Sequence, residues 1–297
     1  WKVGSGAHLA LFPNMNISDP EWRKLFRDVR LRRALSLAID RDELNEVIYY
    51  GLAQASNNTV LPRSPLFKPE YQKAWTNYDV AQANRLLDEI GLTKRGSENV
   101  RLLPDGRPME IIVETAGEST EEVDVLELIA DSWRKIGVKL FTKPSQLEVL
   151  RNRIYAGQTM MAIAKGVDNG IPTADMAPTE FVPMDQNQYE WPKWGQYYQT
   201  GGTAGEKPDM PQPMELMDLM TEWRTAKDTA ARADVWHRIL AIHADNVFTI
   251  GLINGTLQPV VVRSTLRNVP DEGIFSWDPG AHFGIYRPDT FWFAQKS

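Results

Sequence analysis

The chain has no cysteine among its 297 residues and only four histidines. Disulfides are thereby excluded, and little material is left for a soft-metal site. His237 and His243 stand six apart, so on one helix they face different ways and cannot chelate one ion. They read as helix histidines with local partners. His8 and His282 have no ligand-type neighbours at useful spacing. The lack of cysteine leaves the compartment open, since it suits a bacterial envelope protein and a cytosolic one equally.

Basic charge is also scarce. Lys and Arg total 33 against 39 Asp and Glu, a net charge of −6 spread along the chain. Nucleic acid is therefore not an expected partner, because neutralising phosphates requires a basic face. No run is apolar enough to span a membrane, which takes about 20 residues. The longest uncharged candidate, 246–262, is broken by Asn254, Gly255, Gln258 and Pro259. The first residues lack a starting methionine and the basic start and cleavage site of a signal peptide, so the sequence reads as a mature or cut piece.

Common catalytic motifs are missing as well. Gly4-Ser5-Gly6 lacks the spacing and the preceding strand of a nucleophile elbow. Gly91 and Gly96 have the spacing of a phosphate loop, but Ser97 stands where the lysine must be. Gly201, Gly202 and Gly205 do not spell a dinucleotide fingerprint. No cofactor and no metal are expected.

What is present is an ordinary globular composition, 42% hydrophobic and 24% charged, and length for a sizeable core in one large domain or two. His8 to Phe12 reads as a short buried strand. Asp28 caps a helix with Leu31, Ala34, Leu35, Ala38 and Ile39 on one face, and Arg30, Arg32 and Arg33 fall mostly off that face as a solvated one. Asp40 with Glu43 opens a helix that stops at Gly51, and Asp79 opens another that stops at Gly91. Residues 56–73 read as loop. Pro104-Asp105-Gly106 is a turn before the strand Glu110 to Thr115. The pattern then repeats. Ser119 and Ser145 each cap a helix, ended by Gly137 and Gly157, and strands follow at Val138 to Thr142 and Thr159 to Ala164. Pro213 to Ala226 and Ala230 to Asn246 read as helices, and Phe248 to Ile253 and Gln258 to Arg263 as strands. Alternation at this spacing indicates an α/β layer architecture.

One stretch breaks the alternation. Val167 to Gly202 shows no sustained period and carries four of the nineteen prolines. Phe181, Tyr189, Trp191, Trp194, Tyr197 and Tyr198 make a third of positions 181–198 aromatic, against 10% overall. Disordered segments are poor in aromatics, so this reads as a ligand-facing loop. Asp168, Asp175, Glu180, Asp185 and Glu190 sit among the aromatics. Two of them facing across a sugar would make a glycosidase, a reading kept as an alternative. Trp191 and Trp194 read equally as ligand contacts or as staples of the loop.

Asp28 to Asn45 (DVRLRRALSLAIDRDELN) resembles the "DVRvRqALsyAIDRdei" helix of the bacterial family 5 extracellular solute-binding proteins, the peptide-binding class of ABC importers. Tyr78 to Gly91 is similar to that family's "YDpekAkaLLkeaG" helix, and Pro104 to Pro108 with EIIVET to its "dGkpl" hairpin and strand. Leu126 to Val138 looks like its "iqaqlkkiGI" segment, and 247–262 resembles a strand near its C-terminus. The resemblance covers most of the chain in the right order. It implies a periplasmic-binding-protein-like type II lobe, a mixed sheet flanked by helices, with a C-terminal return segment. Residues 1–254 would form the second lobe, with crossover strands near 8–12 and 248–253, and 255–297 would return toward the first lobe. Most of that first lobe has no counterpart here, so this looks like the C-terminal portion of such a protein.

By the same resemblance the chain is an extracytoplasmic, monomeric, non-enzymatic component that closes over a solute and hands it to a membrane permease. Val167 to Pro172 (VDNGIP) resembles the family's "GDNGDP" motif, whose aspartate can pair with a ligand's amino terminus; Asp168 takes that place, beside Asn169. Ile171 departs from the motif, and the usual upstream tryptophan is missing at 164–166. The aromatic run with Trp191, Trp194, Tyr197 and Tyr198 is of the kind found at sugar sites. An oligosaccharide or opine-like conjugate is thus slightly favoured over a peptide. A lobe-only interaction module is a further alternative.

Overall fold

A computed structural model describes residues 1–117 and 119–294. Two short strands, β1 (Lys2–Val3) and β2 (Leu9–Pro13), lead into three helices, α1 (Pro20–Arg27), α2 (Val29–Leu37) and α3 (Arg41–Tyr49). There follow β3 (Gln54–Ala55), α4 (Pro69–Lys73), α5 (Val80–Glu89), β4 (Glu110–Thr115), α6 (Thr120–Arg134), β5 (Lys139–Pro144), α7 (Leu147–Tyr155) and β6 (Met161–Ala164). The rest holds α8 (Pro192–Gln199), α9 (Pro211–Thr225), α10 (Thr229–Asn246), β7 (Ile250–Asn254), β8 (Leu266–Arg267), β9 (Ile274–Phe275) and β10 (Trp292–Phe293).

Six strands form one mixed sheet in the order β3-β7-β2-β6-β4-β5. Strand β4 runs parallel to β5 and β6, while β2 is antiparallel to both β6 and β7. The expected mixed α/β sheet with flanking helices is what forms. Strands β2 and β7 lie side by side near its centre, Leu9 opposite Ile253 and Leu11 opposite Ile250, and β7 is buried at all five positions. Residues 1–3 join the segment beyond 254: β1 pairs with β9, and the Trp1 ring packs on Tyr286 at 4.5 Å.

The local signals worked where they were self-contained. The carboxylates of Asp28, Asp40 and Asp79 and the Ser119 hydroxyl accept from N–H groups of the helices they open. Gly91, Gly137 and Gly157 all take positive φ at the stops, where an L side chain would be strained. Four expectations need correction. Ser145 is not a cap: α7 starts at Leu147 after Gln146, and the Ser145 N–H is spent on the Thr115 carbonyl at 3.0 Å. Residues 258–263 alternate like a strand but form none. Residues 56–73 include the short helix α4.

Arg32 is the fourth and the most consequential. It lies fully buried instead of on a solvated face. Its Nε donates to the Asn246 carbonyl (2.9 Å) and its Nη1 to that of Phe26 (2.5 Å), with the guanidinium 5.3 Å above the Phe248 ring. The C-terminal carbonyl of α10 thus finds its donor on α2, a tertiary partner that no helical period reveals. Arg41, also buried, does the same for β7, donating through Nε and Nη2 to the Gly251 carbonyl (3.0 and 2.7 Å). Burial lowers both guanidinium pKa values to about 9. Both remain charged at neutral pH; Arg32 ties α2 to the ends of α1 and α10, and Arg41 ties α3 to β7.

Candidate functional site

Strand β6 ends at Ala164, and the next six residues are strapped to the chain's first loop. The Gly166 N–H donates to Ala7 O (3.0 Å), Gly6 N–H to Val167 O (2.8 Å), and Gly170 N–H to Gly4 O (2.9 Å). The Val167 N–H donates to the Asn58 side-chain oxygen at 2.9 Å. The approach is close enough that a Cβ on Gly166 would collide with Asn58 and lie 2.7 Å from the Ala7 nitrogen. Glycine is required there by contact, and the result is a rigid ledge that presents residue 168.

The Asp168 carboxylate is exposed and accepts no hydrogen bond among the described residues. The backbone around it is fixed from below, where Glu180 accepts the N–H groups of Asp168 (2.6 Å) and Asn169 (3.2 Å). Asn169 is buried, and its side-chain oxygen accepts from the Ile171 N–H at 3.0 Å, an Asx turn that sets the loop's exit. Two cavities meet at this ledge. One, of about 330 Å³, runs inward past Asp168 and Glu180 to Glu190, His243 and Thr249, with Phe12 and Tyr189 on its sides. The other, of about 840 Å³, runs outward past Asp168, Asn169 and Gln188 to Trp236 and Trp277.

The four aromatic candidates lie elsewhere. Trp191 and Trp194 have no exposed surface. They stack on each other at 6.3 Å, Trp191 meets Phe248 edge-on at 5.1 Å, and the Arg27 guanidinium sits 5.4 Å from the Trp194 ring. Both indoles lie in the core, because the chain from 190 to 199 coils into α8 and turns them inward. Its N1 proline and the close seat of Gly195 against the Asp185 carbonyl hold that helix in place. The Tyr197 ring lies beside Gly202, and the Tyr198 hydroxyl accepts from Arg224 at 2.8 Å; neither lines the two cavities. Of the six candidates, only Asp168 and Asn169 are brought together at a cavity.

Sequence reasoning missed Phe12, Asn58, Thr249 and Trp277 as cavity walls. They come from four distant parts of the chain, and no local signal joins them. Tyr189 and Gln188 were within reach, since they belong to the aromatic stretch itself.

The carboxylates divide by environment. Asp175 is paired with Arg232 at 2.8 Å, and Asp185 accepts from Asn187 and Gln199, so both serve the loop. Glu180 and Glu190 line the inner cavity with Asp168. Burial raises Glu180, against the pull of its two backbone donors. Burial pushes Glu190 up to about 8, and the neighbouring Glu180 adds to the rise. His243 is held down to about 4 by burial; its Nε2 donates to the Phe181 carbonyl at 2.7 Å, which leaves Nδ1 as an acceptor. Among the described residues no three His, Asp or Glu side chains are grouped to hold a metal ion. No described helix is long and apolar enough to cross a membrane.

A sequence-family model described as "Bacterial extracellular solute-binding proteins, family 5 Middle" matches residues 2–187. The periplasmic alpha-galactoside-binding protein of Rhizobium meliloti (strain 1021) is 22% identical over 305 residues, which takes in 95% of this chain and 42% of that protein. The dipeptide-binding protein of Escherichia coli (strain K12) is 25% identical over 198 residues, 65% of this chain and 35% of that one. Among solved structures, an oligopeptide-binding protein OppA superposes with a TM-score of 0.79 at 30% identity, covering 99% of this chain and 48% of its own. The chain thus spans less than half the length of these relatives.

Proposed function

Since the chain belongs to the family 5 bacterial extracellular solute-binding proteins, we propose that it supplies one wall of a solute site in an ABC importer's extracytoplasmic binding component. The observation that carries this reading is the ledge after β6. It holds an exposed, unpartnered Asp168 carboxylate over two adjoining cavities. Such a site gains affinity from apolar walls and a few fixed polar groups. Here Phe12, Tyr189 and Trp277 supply the first, and Asp168, Asn169 and Gln188 the second.

The solute is oligosaccharide-like, opine-like or peptide-like. Strands β2 and β7 carry the chain between this lobe, residues 1–254, and a facing one, with 255–297 as the returning segment. Closure of two lobes is then selected by the solute's preference for the closed state, and a membrane permease receives the closed form. The protein works as a periplasmic or extracytoplasmic monomer. A panel of oligosaccharides and peptides, titrated against intrinsic tryptophan fluorescence, tests the reading. A saturable change with one of these classes supports it; a flat response across the panel sinks it.

A second reading has one observation in its favour. Glu190 is raised toward neutrality while Asp168 is open to solvent, the kind of contrast a carbohydrate hydrolase needs between its acid and its second carboxylate. Incubation with labelled oligosaccharides separates the two, because only the hydrolase releases shortened product.

A further inference from the structure

The inner cavity ends on a buried carboxyl whose one polar partner among the described residues is its own backbone N–H. Glu190 is 4% exposed, yet its carboxyl receives no hydrogen bond from any other described residue. Buried polar side chains are ordinarily paired, and each exception asks for a reason. Its neighbours deepen the puzzle. The Phe181 carbonyl takes the His243 Nε2–H, leaving Nδ1 as an acceptor, and Thr249 Oγ1 already accepts from Asn58 Nδ2 at 3.1 Å. Beside the Thr249 O–H and one Asn58 N–H, the depth of the recess offers two acceptors to a cation, the Glu190 carboxyl and His243 Nδ1.

We propose that this recess is a specificity subsite that takes a primary ammonium group of the solute, with Glu190 as its counter-charge. The proposal rests on the reading of Asp168 as part of a solute wall, and names what lies behind that wall. An ammonium brings three N–H donors and no acceptor, which complements the Glu190 carboxyl and the His243 Nδ1 acceptor at the end of the cavity. A neutral hydroxyl would bring one donor and leave the carboxyl's remaining capacity unmet.

The other titratable and charged groups lining the cavity are Arg151, Lys165, Asp168, Glu180, Tyr189 and His243. Arg151 is engaged with Glu148 at 3.2 Å, and Lys165 is exposed. Glu180 is spent on two backbone N–H groups. Asp168 stands at the exposed mouth of the cavity, so Glu190 is the carboxyl at its buried end. Burial keeps it protonated at neutral pH in the empty protein. Binding then exchanges one charge for another: the Glu190 O–H proton leaves to solvent, the ammonium keeps its own protons, and a buried ion pair forms.

The test uses the whole chain labelled with 13C at glutamate side-chain carboxyls, n-butylammonium chloride as the probe and n-butanol as its neutral isostere. The Glu190 resonance is assigned by its loss in Glu190→Gln, and independently by its loss in Glu190→Asp. At pH 7 n-butylammonium should move that resonance to the ionised position, saturably, while n-butanol leaves it protonated. Glu190→Gln should weaken n-butylammonium binding roughly tenfold or more, the worth of a charge-assisted hydrogen bond. A Glu190 resonance unmoved by n-butylammonium overturns the proposal, as does an equal response to n-butanol. Failure here with a saturable oligosaccharide or peptide response leaves the Asp168 wall standing. The reverse pattern sinks the wall and keeps the recess.

Discussion

Replacing Glu190 by Gln should change how stability depends on pH, and the size follows from its burial. The folded carboxyl titrates at about 8, against its ordinary 4.5. Between those values the folded state keeps a proton that the unfolded state has lost. The slope of unfolding free energy with pH is then negative, about −1.4 kcal/mol per pH unit. Stability contributed by this group is full below pH 4.5, falls as pH rises through the window, and levels off above 8. The total over the window is roughly 5 kcal/mol as an upper figure, a large share of a typical 5–15 kcal/mol. Glutamine has nearly the same shape and cannot ionise, so the variant should lack this loss. Urea denaturation followed by tryptophan fluorescence at intervals from pH 4.5 to 8.5 measures it. The variant should gain on the parent steadily with pH, the gap flattening near 8. Two parallel curves would refute the assignment of a buried carboxyl that is paired with no other residue.

Other consequences are open to direct measurement. Trp191→Ala and Trp194→Ala each empty a filled core position and should cost about 3–5 kcal/mol in urea denaturation; an exposed ligand contact would cost almost nothing. Arg32→Met keeps the bulk but strips donors from the Asn246 and Phe26 carbonyls, so a loss of about 1–3 kcal/mol for each orphaned group is expected. Early amide exchange at the C-terminal end of α10 in that variant would identify the cause. Asp168→Ala should leave stability within about 0.5 kcal/mol of the parent, because the carboxylate is exposed and unpaired.

Much of the fold was legible because its signals are local. Asp28, Asp40, Asp79 and Ser119 cap the helices that follow them, and Glu110–Thr115 is a strand with the bounds its pattern suggests. Helices α1 and α8 carry local signals too. Asp19-Pro20 is a cap followed by an N1 proline, and α1 starts there; Trp191, Trp194 and Tyr198 fall at i, i+3 and i+7 on α8 and its cap. Proline and aromatic content disguised the second as irregular chain.

What the sequence could not disclose is tertiary. Arg32 looks solvated until α10 ends above it, and the loop at 165–170 becomes a ledge only because residues 4–7 lie alongside. The site followed the same division. Asp168, singled out by its motif, lies at the two cavities, whereas Trp191 and Trp194 turn into the core, and Phe12, Trp236 and Trp277 reach the cavities from distant parts of the chain.

The central claim, that this ledge is one wall of a solute site, is met most directly by calorimetric titration of the whole chain and its Asp168→Ala variant with the same oligosaccharide and peptide panel. Saturable heat in the parent that is weakened at least tenfold in the equally stable variant is the predicted result. Equal affinity in the two proteins would place solute binding elsewhere on the molecule and contradict the account.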